Sequence, residues 1–208
     1  MEIVIHTIDN ESARFVQEDP EQVALLLSKV HPQRLFQQRN IIIQGKMAVS
    51  GFNTSLVEMV EFITDVKPQW QVQTHVDTIQ VISEEKYEAL MLKLVRSLKG
   101  ERPRVKVGDS MEGCAEFHMR SGRDVLVQFH SVVKGKVDER MFLQSLFESG
   151  ALAIPIEKGG WAILNPENIV RYVLNPGPAD APANSWLAAR GGESLASRMS
   201  MEIDVRRM

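Results

Sequence analysis

Cysteine is nearly absent from this 208-residue chain: Cys114 stands alone. No intramolecular disulfide can form, so the expected compartment is the reducing cytoplasm. Long apolar runs are missing as well. None approaches the ~20 residues that a membrane-spanning helix needs, and no membrane partner is expected. The opening residues, MEIVIHTIDNE, have no basic segment and only a short apolar run, unlike a secretory leader. Aromatic residues are sparse at 6%, and Trp161, Tyr172 and Trp186 read as core or interface residues before they read as a ligand groove. A strong charge of one sign is lacking too. The formal net charge of −3 argues against a strongly basic nucleic-acid binder, while leaving room for a local basic face. Catalytic signatures are the last absence. Gly159-Gly160 and Gly191-Gly192 are isolated pairs rather than a phosphate-binding loop, and neither GxSxG nor HExxH occurs. His6, His31, His75, His118 and His130 share no ligand spacing. Neither a metal nor a cofactor is expected, and the chain is not expected to be an enzyme.

What is present describes an ordinary folded protein. With 44% hydrophobic residues and 25% charged ones, a buried core is expected. Residues 2–8 and 13–16 are apolar runs around Asp9-Asn10 and read as a hairpin. Asp19-Pro20 is an N-cap followed by proline at the first helical position. Val23, Leu26, Leu27 and Val30 recur at helical spacing, so a helix is expected over 20–30, stopped by His31-Pro32. Residues 40–44 carry Ile41-Ile42-Ile43, the pattern of a buried strand. Residues 47–52 form a second strand and Asn53-Thr54-Ser55 a corner. Residues 57–63 alternate apolar and acidic, which predicts a strand with one wet face.

The same order of elements returns from residue 114. Ala115, Phe117 and Met119 alternate, as do Val125, Val127 and Phe129. If Gly122 takes the left-handed position of a short turn, Phe117 faces Val125 and Ala115 faces Val127. That register gathers the apolar side chains on one face. Asp138 would then cap a helix over 139–149, with Gly150 at its end. Residues 152–154, 161–164 and 169–174 follow as strands, separated by the Gly159-Gly160 turn and the Asn165-Pro166 corner. Asn53 and Asn165 each end a strand, with Val57 or Ile169 four residues on. The expected fold class is therefore α+β: two related small ββαβββ modules, an internal duplication, joined by a strand-helix segment. The expected domains are 1–65, the connecting segment 66–113, the second module 114–175, and a Pro/Ala-rich linker and tail over 176–208. Within 66–113, a strand over 70–81 is expected to extend the first module's sheet. A helix capped by Ser83 follows, with Tyr87, Leu90, Met91, Leu94 and Leu98 on its apolar face.

Three sets of residues offer a surface or a chemistry. In the register just given, His118 lies opposite Asp124, His130 opposite Glu112, and Cys114 diagonal to His130, with Glu116 on the same face. A Cys-His pair or soft-metal site can be imagined there. A polar outer face with one packed cysteine explains it more simply. The stretch 93–106 is the most basic, with Lys93, Arg96, Lys99, Arg102, Arg104 and Lys106. It suits the end of a helix, or contact with nucleic acid or an anionic ligand, although no aromatic residue interleaves with it. Trp161, Arg171 and Tyr172 mark where the two modules differ, set against Ala48, Met59 and Val60, and they form the expected interaction surface.

No family is identified from these motifs. Residues 109–113 resemble the DxSxxG half of the cyclic-dinucleotide-binding PilZ motif. However, Gly108 occupies the position two before Ser110, and Arg34 and Arg39 are one residue too far apart for the accompanying RxxxR. The expected function is that of a non-enzymatic interaction or scaffold protein that self-associates through sheet edges. The alternative is regulatory binding of nucleic acid or an anionic ligand through 93–106.

Overall fold

The computed structural model describes residues 1–70, 76–98, 106–133 and 149–177. Within them, eleven strands and two α-helices give an α+β fold. The strands are β1 (Glu2–Thr7), β2 (Ser12–Val16), β3 (Asn40–Gln44), β4 (Val49–Asn53), β5 (Val57–Ile63), β6 (Thr78–Val81), β7 (Ser110–Met119), β8 (Asp124–Val132), β9 (Leu152–Pro155), β10 (Trp161–Leu164) and β11 (Ile169–Asn175). The helices are α1 (Pro20–Lys29) and α2 (Glu84–Leu98). The helix expected over 139–149 lies mostly outside the described residues, and the tail 183–208 lies wholly outside them. Among the described residues no helix is long and apolar enough to cross a membrane.

The strands form a five-stranded sheet in the order β2-β1-β5-β10-β9, a four-stranded sheet β11-β7-β8-β6, and the separate hairpin β3-β4. These stack in four layers. On one face of the larger sheet, Ile3, Ile5, Val60, Phe62, Ala153 and Ile163 pack against Val23 and Leu27 of α1. On its other face, Met59, Leu152, Ile154, Ala162 and Leu164 meet Ala115, Phe117, Met119, Val125 and Val127 of the second sheet. The far face of that sheet brings Cys114 and Leu126 against Tyr87, Leu90, Met91 and Leu94 of α2. The boundaries between these layers are mainly apolar, which buries the hydrophobic faces of both helices and both large sheets.

Local chemistry sets the element ends. The Asp19 side chain accepts from the backbone N–H of Glu21 at 2.8 Å and of Gln22 at 3.3 Å, and Pro20 opens α1. The Ser83 hydroxyl accepts from Lys86 N–H at the start of α2. Gly122 turns β7 into β8 at φ +88°, which side chains rarely adopt. Gly160 leads into β10 with its backbone so close to Phe62 that a Cβ would stand 2.0 Å from the Phe62 carbonyl oxygen.

The two halves share a hydrogen-bond register 112 positions apart. Glu2 faces Val16 and His6 faces Ser12 in the first hairpin; Cys114 faces Gln128 and His118 faces Asp124 in the second. Both turns close alike: Thr7 N–H reaches Glu11 O, and Met119 N–H reaches Arg123 O. β5 pairs with β1 as β11 pairs with β7, and each ladder slips by one residue at the same place, at Glu58 and at Val170. Each of those strands follows a one-turn 3-10 helix, Thr54–Leu56 or Pro166–Asn168, capped by Asn53 or Asn165. The turn before the corner is one residue longer in the second half, between Pro155 and Trp161, than in the first, between Gln44 and Val49.

Four expectations need correction. β5 has no wet face: it is the central strand of a sheet covered on both sides, and Glu58 is fully buried. β3 is not buried on both faces, because its hairpin belongs to neither large sheet, and Ile42 is exposed. β6 does not extend the first module's sheet; it pairs with β8, which continues the sheet that α2 covers. By strand position Trp161 sets against Val49 rather than Ala48, since each is the first strand residue after its turn.

Candidate functional site

β7 and β8 present the polar row that the alternation implied. His118 lies opposite Asp124 and His130 opposite Glu112. α2 covers the middle of the face that carries them, at Cys114, while Asp124 and Glu112 towards its ends stay accessible to solvent. Cys114 is buried with its thiol 3.1 Å from the Met91 sulfur. Burial is the main cause that pushes the thiol from its ordinary 9.0 up to about 12, opposed by the nearby Tyr87 hydroxyl and helped by the charges of Glu116 and Glu112. The thiol is therefore protonated at neutral pH and is neither a nucleophile nor a metal-ligating thiolate. His130 is engaged with the Ser110 hydroxyl at 2.7 Å. Among the described residues no group of three His, Cys, Asp or Glu side chains is placed to hold a metal ion.

The same face holds a chain of polar contacts that runs from the interior outward. Tyr87 donates its hydroxyl to Glu116 at 2.5 Å. Glu116 lies 3.3 Å from His118 Nε2, and His118 Nδ1 is 2.6 Å from Asp124. Burial first, and then the nearby Cys114 and Glu116, raise the Tyr87 hydroxyl well above its ordinary value, so it stays a donor. This row fixes α2 on the sheet by a directed bond inside an apolar contact.

The first hairpin carries its own version. His6, at the position matching His118, is held by Ser12 at 2.7 Å and Glu61 at 3.0 Å. Beside it, the carboxylate of Glu58 accepts from the Ser121 hydroxyl at 2.7 Å, the Ser121 N–H at 3.2 Å and Arg123 Nε at 3.4 Å. A cleft of about 430 Å³ between the sheets is lined by Met59, Glu61, Glu84, Arg123 and Asp124 among others. Three of its charged groups are paired with residues at its margin, Glu61 with His6, Arg123 with Glu58 and Asp124 with His118. A wider cleft of about 750 Å³ runs along α1, lined by Leu27, His31, Arg34, Lys67 and Trp70 among others.

The basic stretch is only partly described. Lys93 pairs with Glu112 at 2.5 Å, Arg96 is exposed in the last turn of α2, and Lys106 is exposed before β7. Lys99, Arg102 and Arg104 lie outside the described residues. The three residues of the expected interaction surface fall in two layers. Trp161 sits half-buried on β10 against Trp70, with ring centroids 5.7 Å apart, in the core beneath α1. Arg171 and Tyr172 lie on β11, the end strand of the other sheet, with Tyr172 40% exposed.

The contacts that sequence reasoning missed join the two corners. Asn165 Nδ2 donates to the carbonyls of Thr54 and Val57, and Asn168 Nδ2 donates to those of Ser55 and Val57. The recurrence of Asn at 53 and 165 pointed to the corners, but nothing in the pattern says that one corner caps the other. No family model, no curated protein and no solved structure matches the chain.

Proposed function

We propose that this chain is a non-enzymatic interaction protein, built from two copies of one ββαβββ module, that self-associates through its β-structure. The observation that carries the reading is the unequal fate of the two matching hairpins. β9-β10 is built into the large sheet through β10 and β5. β3-β4 belongs to neither large sheet and leaves Ile42, Met47 and Val49 at 66%, 100% and 67% exposure. Apolar side chains grouped on one hairpin are what an association surface needs, and a short exposed hairpin is easily paired by another chain. The duplication is supported by the common register, the matching slip at Glu58 and Val170, and the two asparagine-capped corners. A buried thiol held protonated suits the reducing cytoplasm we assign to it.

Light scattering across a concentration series tests the reading. The expected result is a mass above the 23.5 kDa of one chain that falls towards it on dilution. A mass of 23.5 kDa at every concentration overturns it.

A further inference from the structure

We propose that the cleft along α1 is a binding site for a small organic anion, a carboxylate or phosphate carried on a flat apolar body. The inference stands apart from the self-association proposed above.

The cleft has two walls. One is the last turns of α1 with the 3-10 turn Pro32–Arg34 that follows them. The other is the chain from Val66 to Trp70, beyond the end of β5. A single bond ties them together: Trp70 donates its indole N–H to the Leu27 carbonyl at 2.9 Å. The indole is also held from behind, with ring centroids 5.6 Å from Phe62 and 5.7 Å from Trp161. Trp70 is thus a fixed wall whose polar atom is already used, and what it adds to the lining is apolar ring. Leu27, Val30 and Pro68 continue that lining. At about 750 Å³ the space falls within the range of small-molecule sites.

The charged lining is of one sign. His31, Arg34 and Lys67 border the space, and among the described residues no aspartate or glutamate does. All three are exposed. Among the described residues none of their side chains takes part in an ion pair or hydrogen bond, whereas Arg14, Lys86, Lys93 and Arg123 are each paired with a glutamate. In a chain of net charge −3 this is a local excess of positive charge, and a concave wall of low dielectric concentrates its field. Arg34 supplies the planar fork that matches a carboxylate or phosphate, and Lys67 adds a point charge from the opposite wall.

The end of a helix normally works against an anion, because its last carbonyls are unpaired. In α1 the carbonyls of Leu25, Leu26 and Leu27 accept from the Ser28 hydroxyl, the Val30 N–H and the Trp70 indole. What remains is a cationic rim beside an apolar wall, which orients a ligand that has one charged end.

Isothermal titration calorimetry of the full chain with naphthyl phosphate, naphthoate and uncharged naphthalenemethanol tests the assignment. The expected result is saturable binding of the anions, with naphthalenemethanol about tenfold weaker or more. The tighter of the two anions tells whether the site prefers a phosphate or a carboxylate. Arg34→Glu and Lys67→Glu replace exposed side chains, so the urea midpoint should stay near that of the wild type. Each should weaken anion binding about tenfold or more. Lys106→Glu makes the same change of net charge in the basic stretch before β7 and should alter binding by less than about twofold. No saturable binding of either anion, equal binding of the neutral analogue, unchanged binding by the two cleft variants, or an equal loss from Lys106→Glu overturns the assignment. Anion binding lost at Arg34 and Lys67 in a chain that stays a single copy leaves the cleft standing and removes only the self-association.

Discussion

The corner after Asn53 and the corner after Asn165 are built alike and surrounded differently. Each begins with an asparagine whose side chain accepts from the N–H two residues on, and each feeds a strand that slips by one residue in its ladder. At the slip the first strand carries Glu58, fully buried, and the second carries Val170, 64% exposed. The reversal is instructive. Hydrophobicity alone would bury the valine and expose the glutamate. Glu58 is buried because β10 covers the outer side of β5 and the β7-β8 turn brings Ser121 and Arg123 to its carboxylate. Val170 lies on the end strand of its sheet. One local design thus serves as an interior joint in one half and an outer surface in the other.

The largest test of that contrast strips the donors from the buried carboxylate. Ser121→Ala combined with Arg123→Ala leaves Glu58 with the Ser121 N–H as its one remaining donor in this group. The expected loss is about 3–5 kcal/mol, the usual cost of leaving a charge buried without its partner. Val170→Ala, at the matching position, should change stability by less than about 0.5 kcal/mol. Denaturant unfolding of both variants checks this, and comparable losses would mean that the two corners are not differently loaded.

A smaller difference is expected at the caps. Asn165 is buried, caps its 3-10 turn and ties down two carbonyls of the other corner. Asn165→Ala should cost about 2–3 kcal/mol, a cap plus stranded buried carbonyls. Asn53 caps only its own turn, through Ser55, at the surface, so Asn53→Ala should cost about 1 kcal/mol. If the order of the two losses in urea is reversed, Asn165 is not the bridge between the halves.

The faces that follow the corners differ in pH response. Cys114 matches Glu2 of the first hairpin, which pairs with Arg14 at the surface at 2.7 Å. The thiol is raised from 9.0 to about 12 by burial, so the folded state favours its protonated form. That contribution is complete below pH 9 and is lost as pH rises towards 12. Tyr87, raised in the same direction, adds to the loss in the alkaline range. Unfolding free energy should be flat in these groups from pH 6 to 8 and fall above about 9. Cys114→Ala should shallow the fall, and an unchanged slope would show that the thiol is not the titrating group. The native thiol should also react with a thiol reagent at least about a hundredfold more slowly than the unfolded chain, since reaction requires opening.

How much of this was legible follows the distance along the chain. The β7-β8 register came from alternation over about twenty residues, and Phe117 does face Val125 with Gly122 at positive φ. The caps at Asp19 and Ser83 are short-range chemistry and read directly. The pairing of β10 with β5 did not. It joins residues about a hundred positions apart, and a strand's period states which face is apolar but not which neighbour it takes. From that one hidden pairing came the mistaken wet face on β5, since acidic residues in a strand normally point to water. The polar face of β7 was identified residue by residue, yet its cover by α2 was hidden, so Cys114 sat among partners that looked accessible. Trp161 was grouped with Tyr172 because both distinguish the halves, although β10 and β11 belong to different sheets.

The finest comparison lies at the two matched histidines. His6 is 5% exposed, and its Nδ1 meets the Ser12 hydroxyl at 2.7 Å. His118 is more open, and its Nδ1 meets Asp124, a carboxylate whose side chain is 49% exposed. The contact to a hydroxyl is worth more here than the contact to an exposed carboxylate. Removing Ser12 takes the partner from Nδ1 of a histidine that is itself 5% exposed, at a cost of about 1 kcal/mol. Removing Asp124 exposes His118 to solvent that takes over the bond, and an exposed pair of this kind contributes about 0–1 kcal/mol. Ser12→Ala should therefore lower the urea midpoint slightly more than Asp124→Ala. The reverse order would mean that the Glu61 contact, rather than the hydroxyl, holds the first histidine.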